Sequence, residues 1–236
     1  MGLDPDGGLA APTGRDDPLG AVNGSTPATD SAQRVRLFDR WAAGYDRSMR
    51  AERGFPFQGY DETLDAVVRL SAPTPGMSVL DVGIGTGNLA ERFAQRGCSI
   101  WGIDFSASMI EAAESKLPEA VLVQANLRDA LPDGVRRTFN RIVSAYVFHE
   151  FDAASQLEIL GRLRRDCLDP QGLMVVADIA FETADARAEV RAAWQDRWDD
   201  DEHYWAADEA LLAFADRGIR ARFIRVSFCA GVFVLG

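Results

Sequence analysis

From residue 77 onward, short apolar runs alternate with stretches in which apolar residues recur every three or four positions. The short runs predict buried strands, and the stretches with helical spacing predict the helices that connect them. Regular alternation of this kind favours a parallel sheet with helices on both faces. The predicted strands are residues 78–82, 99–104, 120–125, 141–146 and 172–179, and the predicted helices among them are residues 89–97, 106–117 and 153–168.

Different patterns flank this alternating region. Before it, helical spacing predicts one helix over residues 31–45 and a second that follows residues 54–60, together an N-terminal helical lid. After it, helices are expected near residues 184–198 and 207–217, and two last apolar runs predict an antiparallel hairpin at the sheet edge. The chain therefore predicts a Rossmann-like, doubly wound α/β fold. Its sheet should have seven strands, mostly parallel, with the last strand antiparallel.

The first 30 residues show no apolar periodicity and are rich in Gly, Pro, Asp, Ser and Thr. Such a composition buries too little apolar surface to offset the entropy of ordering, which predicts a disordered tail. Residues 31–236 have a length that suits one domain. Its expected parts are the lid at residues 31–76, a core at residues 77–180, an insertion at residues 181–205, and a last helix with the edge hairpin at residues 206–236.

Composition narrows the possible functions. The formal net charge of −11 and the pI of about 4.7 leave no basic stripe for phosphates, which argues against DNA or RNA as a partner. No apolar run reaches the roughly 18 residues that span a bilayer, and the N-terminus lacks a signal-peptide pattern. The three cysteines are far apart and form no Cys-x-x-Cys pair, which indicates reduced thiols. We expect a cytoplasmic protein without a membrane partner, either a monomer or a homodimer.

A glycine-rich turn follows the first predicted strand, with glycines at positions 83, 85 and 87. Glycine permits turn conformations that a Cβ would block, and it lets a ligand lie against the main chain. Asp104 ends the second predicted strand, where a carboxylate can accept hydrogen bonds from both hydroxyls of a ribose. It could instead cap the next helix. The spacing Gly-x-Gly-x-Gly differs from the dinucleotide pattern Gly-x-Gly-x-x-Gly, because Asn88 occupies the third position of that pattern. This disfavours an NAD-dependent oxidoreductase.

Residues 79–88, Val-Leu-Asp-Val-Gly-Ile-Gly-Thr-Gly-Asn, resemble motif I of the class I S-adenosylmethionine-dependent methyltransferases. From residue 35 onward, most of the chain is similar to one subgroup of that family, the YrrT-like methyltransferases. The likeness is carried by residues 38–46, 57–68, 79–90, 102–109, 144–151 and 172–182. It implies that the chain binds S-adenosylmethionine and releases S-adenosylhomocysteine, and it specifies no substrate.

The resemblance also implies roles for individual residues. The glycine loop would lie against the methionine part of the cofactor, and Asp104 would bind the ribose. Asn126 stands where the family usually has an Asp that receives the adenine amino group. An Asn can accept and donate there, or serve only as a turn residue. Tyr45 would close over the methionine end, although aromatic residues at helical spacing, such as Tyr45 and Trp41, also fill cores. The expected cofactor-binding residues are Tyr45, Gly83, Gly85, Thr86, Gly87, Asn88, Asp104, Phe105, Met109, Asn126, Leu127, Ser144 and Ala145.

His149 is the first candidate for acid–base chemistry, because it follows the fourth strand on the side of the sheet where ligands bind. Its ordinary pKa of about 6.5 would let it take a proton from a hydroxyl or an amine. It could also orient Tyr146, the second catalytic candidate, or cap a helix. Tyr60, Tyr146 and His149 are expected to line the substrate pocket. His203 lies in an acidic stretch without metal-ligand spacing, so we expect a solvated loop there and no metal site.

These features predict in-line methyl transfer to a small molecule, in natural-product biosynthesis. The leaving group of such a transfer departs neutral, so alignment in a dry site can supply most of the acceleration. The substrate is expected to enter between the N-terminal helices and the insertion. Two alternatives remain open. One is an enzyme of this fold that catalyses a non-methylating step, such as cyclisation on a sulfonium-bearing intermediate. The other is a regulator that binds S-adenosylmethionine without catalysis.

Overall fold

The computed structural model describes residues 54–236. The predictions for the tail, for the first lid helix and for Tyr45 concern residues outside this range. Within it, the helices are α1 (Tyr60–Ser71), α2 (Asn88–Ala94), α3 (Ala107–Lys116), α4 (Ala153–Cys167), α5 (Ala184–Ala193) and α6 (Ala207–Asp216). The strands are β1 (Ser78–Val82), β2 (Ser99–Asp104), β3 (Val121–Gln124), β4 (Phe139–Ala145), β5 (Leu168–Phe181), β6 (Trp205–Ala206), β7 (Ala221–Arg225) and β8 (Ala230–Leu235).

Seven of these strands form a continuous sheet in the order β3-β2-β1-β4-β5-β8-β7. Strands β1 to β5 pair in parallel, and β8 lies antiparallel between β5 and β7. The expected fold class is therefore confirmed, including the single antiparallel last strand. The two-residue strand β6, which the sequence did not predict, adds a short parallel pair to the end of β5.

Successive residues of a central strand point to opposite faces of the sheet, and each face is covered by its own helices. Val79 belongs to a buried cluster with apolar residues of α1, α2 and α3. Its neighbour Leu80 belongs to a second cluster with apolar residues of α4 and α6. Successive residues of β1 and β8 are buried, Asp81 of β1 included, because both faces of these two strands are covered.

Local signals in the sequence place several helix ends correctly. α3 begins after Ser106, whose Oγ accepts a hydrogen bond from the Met109 N–H at 3.2 Å. α4 begins after Asp152, whose Oδ1 accepts from the Ser155 N–H at 2.9 Å. Side-chain acceptors of this kind satisfy backbone N–H groups that have no partner within the first turn of a helix.

The predicted helix over residues 184–198 is shorter than expected. It ends at Ala193, and the chain continues through a 3₁₀ turn at Gln195–Arg197. The break lets Trp194 and Trp198 pack on Phe55, with ring centroids 6.3 and 5.5 Å away. Tertiary aromatic packing has therefore overridden the local helical pattern.

Strand β5 is longer than the predicted residues 172–179. It begins at Leu168, which pairs with Phe139, and the register with β4 shifts before the next pair, Arg141 with Leu173. The sequence did not predict the first residues of β5, because the apolar pattern is broken at the point where the register with β4 shifts.

No helix within residues 54–236 is long and apolar enough to cross a membrane. The three cysteines, Cys98, Cys167 and Cys229, are buried and free.

The turn from β1 into α2 depends on Gly83. Its φ of 72° lies in the left-handed region, which favours glycine. A Cβ at this position would lie 2.3 Å from Cγ2 of Val147, a side chain that follows β4. The N–H groups of Gly83 and Ile84 both donate to the Ile103 carbonyl, at 2.8 and 2.9 Å, and so fix the turn against the end of β2.

We predict that Gly83→Ala lowers the free energy of unfolding by at least about 1–2 kcal/mol, because it combines an unfavourable backbone conformation with a steric clash. Gly161→Ala is the matched control, since Gly161 lies inside α4 and a Cβ there would meet no atom of the described residues within 4 Å. It should instead add about 0.5–1 kcal/mol through helix propensity. Urea unfolding of the two variants measures both effects, and equal stabilities would contradict the role assigned to Gly83.

Candidate functional site

The carboxylate of Asp104 connects the glycine loop to the start of α3. Its Oδ2 accepts a hydrogen bond from the Gly85 N–H at 2.8 Å, and its Oδ1 accepts from the Ser106 N–H at 2.9 Å. Burial raises the pKa of Asp104, while the N–H donors of Ser106 and Gly85 act in the opposite direction. The Phe105 N–H is a third backbone donor, and because a carboxylate can accept about four hydrogen bonds, acceptor capacity for a ribose hydroxyl remains.

The three loop glycines meet different surroundings. All have positive φ, but a Cβ at Gly83 or Gly87 would press on Val147 or Leu117. A Cβ at Gly85 would meet no atom of residues 54–236 within 4 Å. Residues 54–236 therefore leave space at the middle of the loop, beside a buried acid, as a ligand that carries a ribose requires.

The residues expected on the adenine side follow β2 and β3, and Met109 among them lies in the first turn of α3. Phe105 is partly buried, and its carbonyl accepts a hydrogen bond from Gln124 Nε2 at 3.0 Å. Met109 and Leu127 are buried. Asn126 is exposed, and its Oδ1 accepts from the Arg128 N–H at 2.9 Å, the geometry of a turn residue. Its side-chain oxygen keeps a second lone pair, so this turn does not prevent contact with a purine.

A row of polar contacts runs from α3 across the glycine loop to α1. Lys116 Nζ donates to Asn88 Oδ1 at 2.6 Å and lies 3.5 Å from Thr86 Oγ1. Asn88 Nδ2 in turn donates to the Tyr60 hydroxyl at 3.3 Å. The Tyr60 ring stacks on Tyr146 at 5.3 Å. The structure thus brings four predicted site residues together, and it adds Lys116, which sequence reasoning missed.

Tyr146 follows β4 in a strained conformation. Its φ is 59°, which is uncommon for a residue other than glycine and tends to occur at functional sites. The hydroxyl is buried near Thr63 without a well-formed hydrogen bond within residues 54–236. Burial raises the pKa of Tyr146 further above its ordinary value, so the hydroxyl stays neutral. Two residues earlier, Ser144 Oγ donates to the Val82 carbonyl at 2.6 Å and joins the ends of β4 and β1.

His149 is buried and bound to an acid that the sequence analysis did not select. Its Nδ1–H donates to Asp178 Oδ1 at 2.5 Å, and its backbone N–H donates to Asp178 Oδ2 at 2.9 Å. Burial alone would lower the pKa of His149, but Asp178, Glu202 and Glu150 outweigh it and raise the pKa to about 10. Without another ligand the ring is therefore an imidazolium at neutral pH, whereas a general base must be neutral.

Asp178 could have been suspected from the sequence, because it interrupts the apolar run Val-Val-Ala-Asp-Ile-Ala of a buried strand. Glu202 could not, since it lies in a run of acidic residues that resembles a solvated loop. The side chain of His203 is exposed. Its backbone N–H donates a hydrogen bond to the His149 carbonyl at 2.7 Å, which is its contact with His149 among the described residues.

Aromatic side chains join the segment before α1 to the insertion. Phe55 stacks on Trp198, and Tyr204 meets both rings edge-on, with centroids 5.6 Å from Phe55 and 4.6 Å from Trp198. Phe57 packs edge-on against Tyr146 at 5.4 Å. The substrate is expected to enter between these two segments. At residues 54–57 this space is filled by the aromatic side chains that pack against each other.

Asp81, at the end of β1, is a second buried acid beside Asp104. Its Oδ2 has no hydrogen-bond partner within residues 54–236. Burial and the neighbouring Asp104 raise the pKa of Asp81 to about 8, against a smaller opposing effect of the Ala90 N–H. The folded protein therefore holds this carboxyl protonated through part of the neutral range.

The chain is similar to proteins of one family. Residues 79–172 match the family model described as a methyltransferase domain. An uncharacterised methyltransferase of Geobacillus thermodenitrificans is 35% identical over 199 residues, which are 79% of this chain and 89% of that relative. YrrT of Bacillus subtilis, also described as an uncharacterised methyltransferase, is 31% identical over 206 residues, which are 80% of this chain and 91% of YrrT.

Solved structures share the fold at lower identity. The DhpI–SAM–HEP complex superposes with a TM-score of 0.68 at 18% identity and covers 90% of this chain and 100% of its own. Magnesium protoporphyrin IX methyltransferase from Synechocystis PCC 6803, with bound SAH, has a TM-score of 0.63 at 16% identity and covers 86% of this chain and 98% of its own. Both therefore carry the same sheet and helix arrangement.

Asp81 generates a prediction about pH. Because its pKa is higher in the folded protein than in the unfolded chain, the stability that the protonated carboxyl contributes is complete below about pH 4 and is lost as the pH rises towards 8. The side chain introduced by Asp81→Asn is neutral at every pH. The melting temperature of this variant, relative to that of the wild type, should therefore increase from pH 5 to pH 8. The gain in free energy of unfolding should exceed about 1.4 kcal/mol, the equivalent of one pKa unit. Thermal unfolding measures it, with the exposed Asp129→Asn as control; parallel pH profiles for all three proteins would refute the prediction.

Proposed function

This chain belongs to the YrrT-like family of class I S-adenosylmethionine-dependent methyltransferases, and we propose that its methyl acceptor is a small molecule. The observation that supports this acceptor class most is the aromatic cover of Phe55, Trp198 and Tyr204 over the carboxyl edge of the sheet. A covered site suits a compact acceptor better than a polymer. The net charge of −11 also disfavours nucleic acid.

The proposed cofactor contacts follow from the geometry of the loop. Asp104 accepts hydrogen bonds from the ribose while it holds Gly85 and Ser106, and the open side of Gly85 accommodates the methionine part. Asn126 lies on the adenine side, with Phe105 and Met109 flanking the ring. The proposed set is Gly83, Gly85, Thr86, Gly87, Asn88, Asp104, Phe105, Met109, Asn126, Leu127, Ser144 and Ala145, together with Tyr45 outside the described residues.

The cofactor supplies an electrophilic methyl group on a sulfonium, and the protein supplies alignment. The hydrogen bond from Ser144 to Val82 fixes the ends of β4 and β1 relative to each other. Tyr146, neutral and stacked on Tyr60, contributes its ring to the wall of the acceptor pocket. Enclosure by aromatic rings excludes water. Holding the nucleophile in line in such a site accounts for most of the acceleration without a charged base.

The same proposal places the enzyme in the cytoplasm, as a monomer or homodimer that acts in natural-product biosynthesis. Buried free thiols at Cys98, Cys167 and Cys229 support a reducing compartment.

We predict that Asp104→Ala weakens S-adenosylmethionine binding by about 1.5–3 kcal/mol, the range for hydrogen bonds to a charged group. The affinity of Asp104→Asn for S-adenosylmethionine should lie between those of Asp104→Ala and the wild type, because an amide oxygen still accepts one hydrogen bond. Isothermal titration calorimetry measures the affinities, and thermal unfolding checks that each variant is folded. Asp129→Ala is an exposed control, and NAD is the ligand control, which should not bind. A folded Asp104→Ala with wild-type affinity would show that Asp104 does not bind the ribose.

The acceptor class has its own test. Purified enzyme is incubated with S-adenosylmethionine labelled in the methyl group and with a fractionated extract of the source cells. We expect the label in the fraction of low molecular mass, and we expect Asp104→Ala to lower the yield in proportion to its cofactor affinity. Label recovered only in protein or RNA would overturn the small-molecule proposal and leave the methyltransferase assignment intact.

A further inference from the structure

We propose that His149, Glu150 and Glu202 form a binding site for one divalent transition-metal ion at the carboxyl edge of β4 and β5. One nitrogen of the imidazole and one oxygen of each carboxylate lie within 4.8 Å of one another. The ligands come from two separate segments, the turn after β4 and the insertion before β6. This explains why spacing in the sequence predicted no metal site.

The distances around His149 Nε2 carry the proposal. Nε2 lies 3.9 Å from Glu150 Oε1 and 3.8 Å from Glu202 Oε1, beyond hydrogen-bond distance in both cases. The side chain is 6% exposed and points this nitrogen between the two carboxylates. Metal bonds of about 2.0–2.2 Å in a tetrahedral shell put ligand atoms roughly 3.3 Å apart, so small rotations of two glutamate side chains complete the shell.

The other nitrogen of the imidazole is held as metal sites require. Nδ1–H donates to Asp178 Oδ1, which leaves Nε2 as the atom directed at the ion. Asp178 is itself fixed by the backbone N–H groups of His149 and Ile179 and by Trp205 Nε1, at 2.9, 2.8 and 3.3 Å. A histidine whose second nitrogen donates to a fixed carboxylate is the usual arrangement of a metal-binding histidine.

Charge favours the same conclusion. Asp178, Glu150 and Glu202 surround a single imidazole, so a proton on Nε2 gives these four groups together a net charge of −2. A divalent ion in place of that proton reduces the net charge of the same groups to −1. The insertion also sets Tyr204 against Glu202. Its hydroxyl bonds Glu202, and its pKa is raised by burial and by that carboxylate, so it adds no charge.

The donor set indicates the class of ion. One imidazole nitrogen with two carboxylate oxygens suits Zn²⁺, Mn²⁺ or Fe²⁺, whereas Mg²⁺ and Ca²⁺ prefer oxygen ligands alone. Three protein ligands leave at least one position for water or another ligand. Access is available, because Glu202 also lines an open cavity of about 470 Å³ between α4 and the insertion.

The test uses the full chain, stripped with a chelator and titrated with Zn²⁺, Mn²⁺ and Mg²⁺ in isothermal titration calorimetry. We expect one Zn²⁺ per chain at micromolar Kd, weaker Mn²⁺ and no measurable Mg²⁺. Glu202→Gln should weaken Zn²⁺ binding at least about tenfold, since even residues that only support a ligand have effects of that size. If Glu202→Gln fails to fold by circular dichroism, Glu150→Gln replaces it.

Two variants serve as matched controls. Glu209 lines the same cavity as Glu202 but pairs with Arg187, so Glu209→Gln should bind Zn²⁺ like the wild type. His203→Ala should also bind normally, which separates the buried site from an exposed histidine beside acidic residues. The absorption spectrum of the Co²⁺ form should lack a thiolate band, which excludes the cysteines. Absence of Zn²⁺ binding, binding that survives Glu202→Gln unchanged, or binding lost in His203→Ala would overturn the proposal. None of these outcomes depends on methyltransferase activity.

Discussion

The Asp104 carboxylate accepts hydrogen bonds from the Gly85 and Ser106 N–H groups, and the geometry of the cofactor half of the site depends on this pair. Both donors are main-chain groups, so the loop is positioned whatever side chains it carries. Hydrogen bonds of 2.8 and 2.9 Å to the buried Asp104 carboxylate leave little room between the loop and the strand ends. Glycine at 83 meets that constraint beside Val147, and at Gly85 the outer side of the loop meets no other part of residues 54–236. The same contact that shapes the loop therefore also leaves space for a ligand.

Buried acids at the carboxyl edge are compensated unequally. Asp178 is fully buried, yet it accepts hydrogen bonds from two backbone N–H groups, from Trp205 and from His149. Asp81 has one backbone donor within residues 54–236, the Ala90 N–H, and burial together with the neighbouring Asp104 keeps its pKa high. A carboxyl that is costly to ionise in the folded chain is a typical feature of a functional site, where preorganisation is kept at the expense of stability.

Sequence patterns specified most of the fold and about half of the candidate site. The bounds of β1 and β2 follow from their apolar runs, and the glycine turn with Asp104 follows from spacing, because each of these signals is local. The break after Ala193 was not predictable, since Trp194 and Trp198 leave the helix to pack on Phe55, about 140 residues earlier in the chain. Asp178 did have a local signal, because it interrupts the apolar run of β5. Lys116 and Glu202 were missed for the same reason as the break after Ala193. Their partners are brought to them by strand order and by the path of the insertion, which no window of sequence contains.

The order of the strands divides the site into two halves that meet between β1 and β4, where the order reverses. On one side, Asp104 and the glycine loop face the space proposed for the cofactor. On the other, Asp178 fixes His149 and also lies close enough to Tyr146 to raise its pKa. The halves touch through the stacked rings of Tyr60 and Tyr146, and Tyr60 continues to Asn88 in the loop. Because the Tyr146 hydroxyl remains neutral, the junction between the halves carries no charge of its own, and it is the aromatic contact of Tyr60 with Tyr146 that fixes their relative position.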